Sequence, residues 1–272
     1  MKRRRAAANT QPEMRDGILV RHCHELADFE ACIEVERAVW KGAELDVVPV
    51  PLFVIAAETG GEVLGAFEGD RMVGFTMAIA GWKNRKPFLH SHMTAVLDGY
   101  RDRGLGRRLK FFQRQDALSR GIRLVEWTFD PLETKNAYFN LMRLGAIARR
   151  YLPNVYGITT SPLHAGLPTD RLVAEWHLDS PRVRRILAGK APILGRGRKT
   201  VRISVPAGDG GASLPPRASL PAQAGPERAA ERARAQTAIR EQFQHWFAKG
   251  YAATAIGRSD ASVDYILEPW KK

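Results

Sequence analysis

Cysteine is nearly missing from this sequence, with only Cys23 and Cys32 in 272 residues. Their separation fits no zinc pattern and both fall in one strand-to-helix segment, which excludes a disulfide scaffold and implies free thiols in a reducing cytoplasm. Long apolar runs are missing too. Val47 to Ala57 and Met72 to Ala80 carry prolines or end within about ten residues, short of the roughly 20 that cross a bilayer, so no membrane partner is expected. The basic cluster Lys2 to Arg5 lacks the apolar segment of a signal peptide, because Gln11, Pro12, Glu13 and Arg15 interrupt at once. Export is not expected. Acidic residues are scarce beside basic ones, 29 against 42, giving a net charge of +13. The basic clusters Lys2 to Arg5, Arg101 to Lys110, Arg182 to Arg198 and Arg228 to Arg240 lack interleaved aromatics, which argues against nucleic acid as a partner. The excess charge is read as solvated surface plus a site for a polyanionic small molecule. What is abundant is ordinary: 44% apolar and 26% charged residues, enough for a proper core and incompatible with global disorder.

The pattern along the chain is mixed. After a basic tail over residues 1–16, expected to be disordered, Gly17 to Arg21 reads as a strand and Asp28 to Trp40 as a helix through Phe29, Ile33, Glu36 and Trp40. Ala43 to Ala57 reads as a loop running into a short helix. Val63 to Glu68 and Met72 to Ala80 flank a Gly69-Asp70-Arg71 turn and predict an antiparallel hairpin. A strand over Phe88 to Leu97 feeds a glycine-bearing helix start at Arg101 to Gly106. That helix points Leu105, Leu109, Phe112 and Ala117 to a core and stops at Gly121. A strand at Ile122 to Phe129, a helix at Glu133 to Leu144, and strands at Ala146 to Tyr156 and Arg171 to Leu178 follow. Residues 181–225 read as a linker including a strand near 200–205. A helix over Pro226 to Lys249 and strands over Tyr251 to Gly257 and Val263 to Leu267 form a small C-terminal αβ extension over 226–272, expected to dock on the core. The fold class is α/β (α+β), with a mostly antiparallel sheet flanked by helices.

The informative segment runs from His90 to Leu109. A strand, a tight turn and a helix N-terminus bring glycines to a place where the backbone must come close to something, and several N–H groups plus the helix dipole then favour a pyrophosphate. Arg101, Arg103, Arg107 and Arg108 add positive charge. Arg101-Asp102-Arg103-Gly104-Leu105-Gly106, preceded by Val96 and Tyr100 and followed by the helix Asn136 to Gly145, resembles the acyl-CoA signature of the GNAT superfamily of N-acetyltransferases. The resemblance covers about residues 17 to 178, which implies one catalytic domain over 17–180, and looks like a branch carrying a C-terminal extension.

The resemblance implies acetyl-CoA or another acyl-CoA as co-substrate and no metal. It places the backbone of Thr94, Ala95 and Val96 along the pantetheine arm, the N–H groups around Arg101, Arg103, Gly104, Leu105, Gly106 and Arg107 on the pyrophosphate, and Asn136 on the CoA arm. The superfamily's tyrosine on the later helix is replaced by Leu141. Tyr138 or Tyr156 is then the candidate acid, or the thiolate leaves unassisted. Glu126, His90 and His92 are the candidate bases, the two histidines sharing one sheet face if their strand is regular. Plainer readings stand beside these: a hydrogen-bonded sheet histidine, and a packed, paired carboxylate. As an i, i+2 pair the histidines make half of a metal site, but no third ligand is in sight. The expected reaction is transfer of an acetyl or other short acyl group, succinyl among them, to a small-molecule amine such as an amino acid. The acceptor pocket would come from Val39 to Leu52, Gly81 to Lys86 and Leu152 to Leu167, with Arg149, Arg150 and Arg171 available for a carboxylate. A second reading, a non-catalytic acyl-CoA-binding or regulatory module, follows from Leu141. The sequence leaves a homodimer open.

Overall fold

The computed structural model describes residues 10–158, 167–192, 199–206, 226–258 and 262–270. The expected tail at 1–9 and most of the expected linker lie outside them. The chain divides into two compact units, Met1–Val125 and Glu126–Lys272, so the division falls inside the segment expected to be one domain.

The first unit is an antiparallel sheet of five strands in chain order: β1 (Glu13–Arg15), β2 (Ile18–His22), β3 (Glu62–Glu68), β4 (Arg71–Lys83) and β5 (Lys86–Val96). β1 lies in the segment expected to be tail. Asp16 and Gly17 both take positive φ, 50° and 73°, which is the two-residue turn that an Asp-Gly pair makes between antiparallel strands. Helices α1 (Leu26–Trp40) and α2 (Val50–Glu58) cover one face over Phe53, Phe75, Met77 and Met93. Helix α3 (Leu105–Ser119) covers the other over Leu64, Val73, Leu109 and Phe112. Cys23 and Cys32 are buried thiols.

The second unit opens with β6 (Leu124–Phe129), which starts in the last residues of the first unit. It continues with α4 (Thr134–Tyr138), β7 (Ile147–Leu152), β8 (Arg171–His177), α5 (Pro181–Leu187), β9 (Val201–Pro206), α6 (Pro226–Ala248), β10 (Tyr251–Arg258) and β11 (Ser262–Pro269). Its strand order is β6-β8-β7-β10-β11-β9. The extension is part of this sheet, since β10 pairs antiparallel with β7 through Ala253 and Ala148. Two local readings are corrected. The helix expected over Glu133 to Leu144 is α4 followed by a π-helical stretch, Phe139–Leu144. The expected linker begins with α5, whose N-cap Ser180 accepts from Val183 N–H at 3.3 Å and whose first residue is a proline.

Arg182 of α5 closes the π-helical stretch. Its guanidinium donates to Leu141 O at 3.0 Å, to Gly145 O at 3.1 Å and to Thr254 O on β10, so one half-buried cation satisfies two carbonyls that the helix end leaves over and one of the neighbouring strand. No helix of the described residues is long and apolar enough to cross a membrane.

Phe243 of α6 is fully buried, its ring 5.9 Å from Tyr151 of β7 and 5.1 Å from Tyr265 of β11. Phe243→Ala is expected to destabilise the second unit by about 3–5 kcal/mol through lost burial and a residual cavity. A urea titration followed by tryptophan fluorescence would show an earlier midpoint; an unmoved midpoint would mean that α6 adds nothing to the unit.

Candidate functional site

At the end of β5 the backbone alternation decides which groups face where. Leu97 N–H donates to Val73 O of β4 at 3.0 Å. By the alternation of an antiparallel strand, Ala95 then faces β4 as well, and Thr94 and Val96 turn their N–H and C=O groups away from it. Two further contacts agree. A Cβ on Gly74 of β4 would sit 2.8 Å from Ala95 O, and Val96 O accepts from Arg101 Nε at 3.0 Å. Ala95 packs in the core. Of the three strand residues expected to line the acyl-CoA, Thr94 and Val96 have outward backbone groups and Ala95 does not.

The turn after β5 enters α3 through two left-handed residues, Asp102 at φ 61° and Gly104 at φ 79°. Gly104 is the N-cap, with no side chain capping the helix. The first helical bond runs from Arg108 N–H to Gly104 O at 3.0 Å, so the N–H groups of Leu105, Gly106 and Arg107 precede the ladder. A Cβ on Gly104 would meet nothing within 4 Å, and one on Gly106 would meet only Val96 Cγ2, at 3.9 Å. Packing inside the protein therefore does not account for the missing side chains, whereas an approaching ligand would. The conformation at Gly104 also disfavours any L side chain by roughly 1–2 kcal/mol.

The charges around this turn are not equivalent. Arg101 is tied to Val96 O and, at 2.7 Å, to Asp98. Arg103 is exposed and lies over the Tyr100 ring, and Arg107 lies over Phe111. Arg108 instead clamps the N-terminal hairpin through Glu13, Arg15 O and Ile18 O.

His90 and His92 do share a face, with ring centroids 6.2 Å apart. The strand is not regular there. Met77 pairs with Met93 and Ala78 with Ser91, so His92 is the extra residue of a β-bulge. Desolvation holds its imidazole below the usual histidine value, favouring the neutral, proton-accepting form.

In the second unit, Glu126 is buried and its carboxylate takes Arg150 at 2.6 Å. Thr128, two residues along β6 and on the same face, bonds the hydroxyl of the half-exposed Tyr156 at 2.9 Å. Asn136 is exposed and Tyr138 half-buried on α4. Leu141 is fully buried in the π-helical stretch, beside Asn140, which accepts from Trp127 Nε1 at 3.3 Å.

Residues 29–142 match the family model "Acetyltransferase (GNAT) family". The match spans less than half of the chain. None of the curated proteins matches the sequence. Among solved structures, the chain is similar to the ribosomal-protein-S18-alanine N-acetyltransferase from Escherichia coli, at 15% identity and TM-score 0.46 over 60% of this chain and 95% of that one. It is also similar to a GNAT family acetyltransferase from Elizabethkingia anophelis with acetyl-CoA bound, at 13% identity and TM-score 0.43 over 60% and 99%. A third is an aminoglycoside acetyltransferase from an uncultured soil metagenomic sample, at 16% identity and TM-score 0.42 over 46% and 85%. These likenesses are low.

The matched segment's own polar groups include several that the pattern of the sequence did not single out: Thr76, Ser91, Lys110 and Gln113, all buried between β4, β5 and α3. The signal was present as a polar row, Lys110, Gln113 and Asp116, at spacing i, i+3, i+6 beside the apolar row of α3. The arginines expected near an acceptor are engaged: Arg149 by Glu175, Arg150 by Glu126, and Arg171 by Asp170 O. His177, 3.6 Å away, together with Arg149 and Arg150 outweighs the desolvation of Glu175 and brings its carboxyl down to about 2.

CoA is expected to raise the melting temperature of the protein, and Gly104→Val to abolish that rise while the variant stays folded, because the new side chain fills open space in front of the helix start and strains the turn. A folded Gly104→Val protein with parental CoA affinity would remove this turn from the site.

Proposed function

We propose that this chain is an N-acyltransferase that moves an acetyl group from acetyl-CoA to the amine of a small molecule by direct attack on the thioester. The observation that carries the reading is the joint geometry of β5 and α3: outward backbone groups at Thr94 and Val96, and a helix start whose Gly104 and Gly106 leave open space, within a segment matching the GNAT model. The pantetheine amides would extend along Thr94 and Val96 as an added strand, and the N–H groups at Leu105, Gly106 and Arg107 would take the pyrophosphate with Arg103. Asn136 would contact the CoA arm. Succinyl and other short acyl groups belong to the same reading.

The chemistry needs a deprotonated amine, a stabilised oxyanion and a proton for the leaving thiolate. The amine nitrogen bonds to the thioester carbonyl carbon as its proton passes to a base, and the C–S bond breaks as the sulfur gains a proton. Backbone N–H groups beside the β5 bulge would hold the oxyanion. Among the bases, His92 is the better placed, because it is exposed and kept neutral, whereas Glu126 is already held by Arg150. Among the acids, Tyr156 has its hydroxyl fixed by Thr128 on the face of β6 that carries Glu126, and Tyr138 remains on α4 as the second candidate. With Arg149 and Arg150 engaged, an amino-acid acceptor would need another partner for its carboxylate. The second reading, a non-catalytic acyl-CoA-binding or regulatory module, is favoured by the burial of Leu141 where a tyrosine is expected. Thiol release from acetyl-CoA or succinyl-CoA across an amine panel selects the enzyme; CoA binding without release selects the module.

Two outcomes follow for the proton route. Because His92 titrates below the usual value of about 6.5, its base form prevails at neutral pH, so kcat at saturating acceptor should be level above about pH 7 and fall on the acid side. His92→Gln should lower kcat about a hundredfold and remove that acid limb; a limb that persists in the variant would assign the base elsewhere. Tyr156→Phe should lower kcat about tenfold to a hundredfold with little change in CoA affinity, and parental turnover in both Tyr156→Phe and Tyr138→Phe would mean that the thiolate leaves unassisted.

A further inference from the structure

Beneath β5, on the side covered by α3, lies a chain of buried polar groups that the reaction above does not use. Lys110 of α3 is 3% exposed, and its Nζ donates to Ser91 Oγ at 2.6 Å and to Gln113 Oε1 at 3.0 Å. Thr76 of β4 is fully buried; its hydroxyl donates to Met93 O at 2.8 Å and lies 2.8 Å from Thr94 Oγ1 and 3.5 Å from Ser91 Oγ. One arrangement of protons serves all three hydroxyls: Ser91 accepts from Lys110 and donates to Thr76, Thr94 donates to Thr76, and Thr76 donates to the Met93 carbonyl.

Burial pushes the Lys110 ammonium down to about 7 against the attraction of Glu62, so holding a charge there has a cost that the hydrogen bonds to Ser91 and Gln113 offset. What the network does is grip β5 at two points. Ser91 is held from α3 and Met93 from β4, and the residue between them is His92, the one that the pairing with β4 skips. Lys110 also lies one helical turn after Gly106, so the same bond ties the helix start to the strand.

We propose that Lys110, Ser91 and Thr76 are positioning residues that pin the β5 bulge on both sides of His92 and fix its spacing from the start of α3. The proposal rests on the acyl-transfer reading for its catalytic consequence, but its structural half is measurable without turnover.

The test compares Lys110→Met, Thr76→Val and the conservative Thr76→Ser by amide hydrogen exchange, by CoA titration and by thiol release from acetyl-CoA with the best amine of the panel. Lys110→Met and Thr76→Val are expected to exchange Ser91 to Thr94 amides at least about tenfold faster, with β2–β3 amides unchanged and CoA affinity within about threefold. Their kcat should fall about tenfold or more at nearly constant KM for acetyl-CoA, and Thr76→Ser should restore it. Unchanged exchange at Ser91 to Thr94 in either folded variant would overturn the proposal. So would a uniform rise in exchange with a lower melting temperature, which marks a merely structural role. Should Lys110→Met fail to fold, Thr76→Val with its serine rescue decides alone. A parent that releases no thiol with any amine would sink the acyl-transfer reading, while the exchange arm still reports on the bulge.

Discussion

Because the backbone of β5 must satisfy its hydrogen bonds toward β4, only every second residue of the strand is left to face away, and the bond from Leu97 N–H to Val73 O sets which ones. Thr94 and Val96 face outward for that reason, and the bulge at His92 follows from the same register, since β4 offers no partner opposite it. The turn that follows inherits the constraint. Val96 O, turned away from β4, is taken by Arg101, and the left-handed residues Asp102 and Gly104 then start α3 with its first N–H groups outside the ladder. A shift of one residue in this pairing would exchange the roles of Ala95 and its neighbours.

The positive charge of the chain looks, as a total, like a surface for polyanions. Residue by residue, much of it closes internal accounts of hydrogen bonding. Arg182 holds three carbonyls, Arg108 holds two and a carboxylate, Arg120 holds Gly60 O and Glu62, Arg232 faces Asp130 and Glu133, and Arg240 takes Asp170 with both ends of its guanidinium. A planar, multiply donating cation suits these roles better than a lysine ammonium, which fits the preference for arginine in this sequence. Arg103 is different: exposed, and next to the helix start where an anion is expected.

What was legible in the sequence was what local chemistry dictates. The Gly69-Asp70 hairpin, the strand ending in Asp98-Gly99-Tyr100 and the helix start at Gly104 are written in turn residues and alternation, and the structure places them within a residue or two. Asp16-Gly17 and Ser180-Pro181 are turn and cap signals of the same kind, set inside segments whose basic composition points to a tail and a linker. The buried network around Lys110 was hidden for another reason. A lysine three residues before a glutamine on a helix reads as a solvated face, and only the packing of α3 on β4 and β5 turns that row inward. Likewise, the engagement of Glu126 by Arg150 links side chains of β6 and β7 across 24 residues, which no local pattern announces.

The π-helical stretch bears on the missing tyrosine. Counting back from Gly145 by regular helical spacing puts Leu141 where the superfamily's acid is expected, but a π turn accommodates one more residue, so equal counts no longer reach equal faces. The chain closes this turn with Gly145 N–H and Ala146 N–H both on Asn140 O, and leaves Leu141 O to Arg182. Leu141 is thereby committed to the core, and a hydroxyl has to come from outside the stretch. Tyr138 precedes it and Tyr156 follows it, the latter anchored on Thr128. The demand on either is modest, since a thiolate whose conjugate acid has a pKa near 8.5 is a good leaving group at neutral pH and gains from a nearby donor without requiring one of fixed strength. On the proposed acyl-transfer reading, giving up the tyrosine position to a wider helix turn would surrender little of the chemistry, provided that β5 holds the oxyanion and the amine in place.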